Sequence, residues 1–290
     1  MTLSNDLLTV TIHPHGAELQ SIENKSTGHQ YLWQGDSRFW GRRSPVLFPI
    51  VGAVWNGTFR MDGTEYALGQ HGFARDMDFT PVEGGPDDEA WFRLESTDAT
   101  LEKFPRRFSL EIGYRLQEAR LTVMWRVTNL DTRTMHFQIG AHPAFNYPQF
   151  NAADAVHGYF HIGGSDLATE VITEKGCVGA AGRVIPDADG FVAITDTTFA
   201  HDALIFGEGR VNRVSLLTKE HTPYLTLLFG SPAVGLWSPK PDAPFVCIEP
   251  WWGRADRVGY EGEFCDREYV NTLKPGDTFN ASYMIIIDDL

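Results

Sequence analysis

Three short segments place chemically able side chains in apolar, glycine- and proline-rich surroundings where solvation alone does not explain them. They are Gln70-His71-Gly72-Phe73-Ala74-Arg75-Asp76, Gly140-Ala141-His142-Pro143-Ala144-Phe145-Asn146 and Cys247-Ile248-Glu249-Pro250-Trp251-Trp252-Gly253. His142 and Glu249 each stand immediately before a proline, which biases the preceding backbone towards extended or turn conformations. A side chain held in a fixed direction is what general acid–base catalysis requires. Each residue also has a structural reading. A histidine between small residues and a proline serves as a turn residue, and a carboxylate at the end of an apolar strand can be satisfied by backbone N–H groups.

Several chemistries are open to such a set. Two histidines and a glutamate could bind zinc, but none of the three has a second ligand at close spacing. The pairs His13/His15 and His157/His161 have short spacing and no nearby third ligand. No Gly-x-Ser-x-Gly elbow supports a serine nucleophile. Cys177, Cys247 and Cys265 lie without an adjacent base, which argues against a thiolate nucleophile. Glycine-rich phosphate loops are absent. Proton transfer between a histidine and a carboxylate is what remains.

The elements that must hold these groups read as strands. Leu8, Val10 and Ile12 alternate with threonines; Phe108 to Leu116 and Leu121 to Val127 alternate over longer runs. Only Gln117-Glu118-Ala119-Arg120 separates the two long runs, which predicts a hairpin. Tyr224–Phe229, Phe245–Ile248 and Tyr283–Ile287 are further strand-like stretches, and sustained helical periodicity is hard to find. Glycines (28) and prolines (16) are scattered as turn punctuation and mark no linker. The expectation is one all-β domain over residues 1–290, an antiparallel sandwich or barrel.

Composition narrows the partners. A formal charge of −14, from 24 basic and 38 acidic residues, disfavours nucleic acid and anionic membranes but does not penalise a neutral sugar. Three cysteines do not make a disulfide framework. No secretory signal opens the chain and no apolar run approaches the ~20 residues of a membrane helix, so a cytoplasmic protein, monomer or homodimer, is expected.

Taken together, His71-Gly72-Phe73-Ala74-Arg75, Gly140 to Asn146, and Leu236-Trp237-Ser238 followed by Cys247 to Trp251 resemble the aldose 1-epimerase superfamily, and within it the LacX-like branch. The likeness begins at His15-Gly16-Ala17-Glu18-Leu19 and runs through Pro45 to Gly52. It implies a galactose-mutarotase-like antiparallel β-supersandwich with a sugar cleft, and cofactor-free interconversion of α and β anomers of an aldose. By resemblance, Glu249 takes the proton of the C1 hydroxyl and His142 protonates the ring oxygen. His71 and Asp202 hold ring oxygen or hydroxyls. Members commonly carry an arginine after Val-Gly where this chain has Ala53. Arg75 is then the expected compensating sugar contact, and Arg42-Arg43 read as solvated surface. The alternatives are a hexose-6-phosphate 1-epimerase, or a non-catalytic carbohydrate-binding or sensing protein of the same fold; a metal-dependent cupin-like enzyme is a remote third.

Overall fold

A computed structural model of the chain describes residues 1–162 and 167–290. Alternating side chains drive two large antiparallel sheets together. Nine strands form one sheet, in the order Phe191–Ile194, Gly158–His161, Arg213–Leu217, Pro223–Phe229, Thr278–Ile287, Arg120–Asn129, Phe108–Gln117, Glu89–Glu95 and Thr80–Val82. The other runs Cys177–Val184, Leu167–Glu174, Leu204–Phe206, Ala233–Trp237, Phe245–Trp252, Ile139–Ala141 and Val46–Leu47, with Ala144–Asn146 also pairing with Phe245–Trp252. A smaller sheet of Thr2–Ser4, Leu8–His13 and Glu18–Asn24 adds to the amino-terminal side.

The expected hairpin is present. Gln117 pairs with Arg120 across a two-residue turn, with Glu118 at φ 52°. Its inward residues Leu110, Ile112, Leu121, Val123 and Trp125 share one core with Phe206, Val234, Leu236, Val246 and Ile248 of the opposite sheet. That shared core makes the molecule a sandwich. Among the described residues helix is confined to one capped turn, Asp98–Leu101, and three short 3₁₀ segments. Among the described residues no helix is long and apolar enough to cross a membrane.

The strand Phe245–Trp252 decides where the chemistry sits. Its even residues Val246 and Ile248 enter the shared core, and Trp252 packs edge-on against Trp125. Period-two alternation therefore turns Cys247, Glu249 and Trp251 to the opposite face. On that face two glycines make room for Trp251. A Cβ on Gly235 would lie 2.5 Å from its ring, and one on Gly140 would lie 2.8 Å away. The indole consequently lies flat across the neighbouring strands, beside Glu249.

Candidate active site

Across the ladder from Phe245–Trp252 the partner strand is interrupted at His142-Pro143. Ile139 and Gly140 pair with Trp252 and Trp251 before the break; Ala144, Phe145 and Asn146 pair with Cys247, Val246 and Phe245 after it. The register is the same on both sides, which sets His142 directly opposite Glu249. Pro250, with no N–H to donate, sits at the gap, where a ladder bond is missing anyway. His142 Nε2 and Glu249 Oε2 are 3.3 Å apart. Sequence order separates these two groups by a hundred residues; the ladder register removes that separation.

Around this pair lies a cleft of about 400 Å³, lined among others by Trp40, Arg42, His71, Arg75, Asp202 and Trp237. All five residues singled out from the sequence, His71, Arg75, His142, Asp202 and Glu249, line it. Two cleft residues departed from the expectation or escaped it. Arg42, read as solvated surface, lines the cleft and bonds Asp76 at 2.8 Å. Arg43 does point away, to the Gln20 carbonyl. Trp40 carried no sequence signal, yet its ring stacks on His142 at 4.7 Å, with Trp237 meeting the same imidazole edge-on at 5.5 Å. Of the tryptophans in the two motif strands, Trp237 and Trp251 face the cleft and Trp252 does not. Ala53 is not among the lining residues, but its flanking Gly52 is.

His71 is fixed by its backbone. It occupies the left-handed region at φ 66°, and its N–H bonds the Gly52 carbonyl at 2.8 Å. The Gly52 N–H donates in return to His71 Nδ1 at 3.1 Å. An Nδ1 that accepts carries no proton, so neutral His71 holds its proton on Nε2. Burial first, then the charges of His142, Arg75 and Arg42, keep His71 well below the usual histidine range. It is therefore a neutral hydrogen-bond donor whose tautomer is set by Gly52.

The pair itself is perturbed in opposite directions. Burial pushes His142 down to about 3, and the guanidiniums of Arg75 and Arg42 reinforce the shift. Burial also raises Glu249 well above the carboxylate range; the Asp202 charge adds to this, and the Trp251 N–H opposes it. Glu249 is 1% exposed. Among the described residues neither Glu249 Oε2 nor His142 Nδ1 has a well-formed hydrogen bond. A carboxyl pushed up beside an imidazole pushed down means that a single proton held by the pair rests on Glu249. Arg75 is likewise lowered, to about 10, by burial and by Arg42.

A second, larger cavity of about 600 Å³ contains Glu170, Glu208, Arg210, Arg257 and Tyr269. Its charges are taken up by one another: Arg257 bonds Glu170 and Glu268, and Arg210 bonds Glu208. The acid–base pair is what distinguishes the smaller cleft.

The family model described as aldose 1-epimerase matches residues 1–258. The chain is 30% identical to the chromosomal LacX protein of Lactococcus lactis subsp. lactis, over 98% of both chains. Its fold is similar to a galactose mutarotase related enzyme from Lactobacillus acidophilus, with a TM-score of 0.91 and 34% identity over 100% of this chain and 97% of that one. A galactose mutarotase-like protein from Lactobacillus casei superimposes with a TM-score of 0.90 at 27% identity, over 99% of each.

Proposed function

Because the chain belongs to the aldose 1-epimerase family, we propose that it interconverts the α and β anomers of an aldose, with His142 and Glu249 as the proton-transfer pair. The observation that carries this reading is the oppositely perturbed pair, 3.3 Å apart, in the cleft. Ring opening removes a proton from O1 and delivers one to O5, two oxygens on one carbon. At rest the two shifts place the shared proton on Glu249; once it passes to His142 across 3.3 Å, the carboxylate takes the O1 proton while the imidazolium gives its proton to O5. The C1–O5 bond breaks and the open aldehyde forms.

The pair is then a carboxylic acid beside a neutral imidazole, holding the same number of protons as before. Rotation about C1–C2 presents the other carbonyl face. On closure, neutral His142 takes the O5 proton and the Glu249 acid returns one to O1. One shared proton thus serves both half-reactions, and nothing in the balance needs a cofactor. Positioned proton transfer of this kind is worth ~10²–10⁴-fold per group. His71, donating through Nε2, and Asp202, accepting, are suited to hold ring oxygen or hydroxyls. Trp40 and Trp237 offer apolar faces for C–H contact.

Polarimetric relaxation of α-glucose and α-galactose, against Glu249→Gln, tests this reading. A second reading is favoured by Arg42 and Arg75, two cationic side chains in one cleft of an acidic protein. Paired arginines suit a phosphate or carboxylate on the sugar. A kcat/KM at least about tenfold higher for hexose 6-phosphate than for the free hexose, falling to parity in Arg42→Ala, would establish the phosphorylated substrate.

A further inference from the structure

Beneath the cleft lining lies a third donor that acid–base chemistry does not use. Cys247 lies two residues before Glu249 on the same face of its strand, opposite Ala144 on one side and Trp237 on the other. It is fully buried and free. One nitrogen of His142, the Cys247 sulfur and one Glu249 oxygen all lie within 4.8 Å of one another. No short ligand motif reveals this set in the sequence, because strand register assembles it, bringing His142 alongside Cys247 and Glu249. His142 and Glu249 are both more than nine-tenths buried, and each carries an atom with no hydrogen-bond partner among the described residues.

We infer that His142, Cys247 and Glu249 form a three-ligand site for a thiophilic divalent cation of the zinc class, and that occupancy of this site excludes sugar turnover. An imidazole, a thiolate and a carboxylate are all zinc ligands, and donors about 3.3–3.8 Å apart describe a tetrahedral set; His142 and Glu249 stand 3.3 Å apart and all three donors lie within 4.8 Å of one another. Small side-chain rotations complete it. The fourth position is left to a ligand from the cleft that His142 and Glu249 line. On binding, the Cys247 thiol and the His142–Glu249 pair each lose one proton to solvent as the three bonds to the metal form, with no change of oxidation state. The exclusion half rests on the proposed function, since the metal occupies the two atoms that would exchange protons with the sugar.

Cobalt(II), a spectroscopic stand-in for zinc, tests the site without any activity measurement. One equivalent added to purified metal-free protein is expected to give thiolate-to-cobalt charge-transfer absorption with tetrahedral ligand-field bands. The signal should persist in Cys265→Ser and vanish in Cys247→Ser. Should Cys247→Ser fold poorly, His142→Gln is expected to remove the same bands. Absence of a stoichiometric signal in wild type, or its survival in Cys247→Ser, overturns the site.

Zinc inhibition then tests exclusion. The half-inhibitory concentration should rise about tenfold or more in Cys247→Ser, with chelator restoring wild-type turnover. Equal inhibition of both proteins overturns exclusion. Cobalt absorption without turnover of any aldose leaves the site standing and refutes the proposed function instead.

Discussion

His142 and Glu249 face each other across an interrupted antiparallel ladder, Nε2 to Oε2 3.3 Å apart, with the same register resuming on either side of the break. Their relationship is a property of strand pairing. The two prolines beside them help to stiffen the gap, and Trp40 and Trp251 close it from the cleft side.

This geometry predicts an unusual pH profile for kcat/KM. The active pair carries one proton, so activity falls when a second is added or the last is lost. Adding the second means charging His142, which is pushed down to about 3. Losing the last means ionising Glu249 beside a neutral imidazole, which its raised pKa moves well above 4.5. The acid limb should therefore lie far below the ordinary histidine range. Anomerisation rates corrected for the uncatalysed reaction, taken between about pH 4 and 9, check this. An acid limb centred at the ordinary histidine value of about 6.5 would contradict it.

The same carboxyl carries a stability cost. Its folded-state pKa is raised above 4.5, so its favourable contribution is complete below that ordinary value and is lost as pH rises through the folded value. Glu249→Gln removes the ionisable group while keeping its shape. Its melting temperature relative to wild type should climb from about pH 5 to about pH 8. A constant or falling difference would mean that the native carboxylate ionises without penalty.

Gly235 lies directly opposite Glu249, and a Cβ there would come within 2.5 Å of the Trp251 ring. Gly235→Ala should displace the indole that flanks the carboxyl. The expected destabilisation is ~1–3 kcal/mol by denaturant unfolding, with kcat reduced more than KM is raised. Unchanged kcat would show that Trp251 has no part in positioning Glu249.

His71→Asn keeps a residue that tolerates the left-handed backbone at φ 66° but withdraws the Nε2 donor. Losing one substrate hydrogen bond should raise KM by about 5–15-fold, roughly 1–1.5 kcal/mol, with a smaller effect on kcat. An equal loss in kcat and kcat/KM would instead place His71 among groups needed only in the transition state.

Much of this was legible along the chain. Residues such as Val123 and Trp125 alternate cleanly because one face of their strand is buried, and the paired strands Phe108–Gln117 and Arg120–Asn129 follow from the four residues between the runs. Cleft composition was harder to read. Trp251 and Trp252 are adjacent and alike in sequence, yet period two sends one to the cleft and the other into the core. Arg42 and Arg43 are also neighbours with different surroundings, and Trp40 reaches His142 from a loop whose own carbonyl accepts from the Trp33 indole. Such outcomes depend on register and loop course, which local pattern does not encode.

The account turns on whether Glu249 and His142 move protons to and from a sugar. The most direct measurement is polarimetric relaxation of freshly dissolved α-aldoses and their 6-phosphates, with wild type, Glu249→Gln and His142→Asn at equal concentration. Wild type should accelerate equilibration of at least one sugar, each variant should lose ~10²–10⁴-fold, and the double variant should be little worse than either single one. Saturable sugar binding with no acceleration by wild type, surviving in Glu249→Gln, would contradict the account and leave a carbohydrate-binding protein in its place.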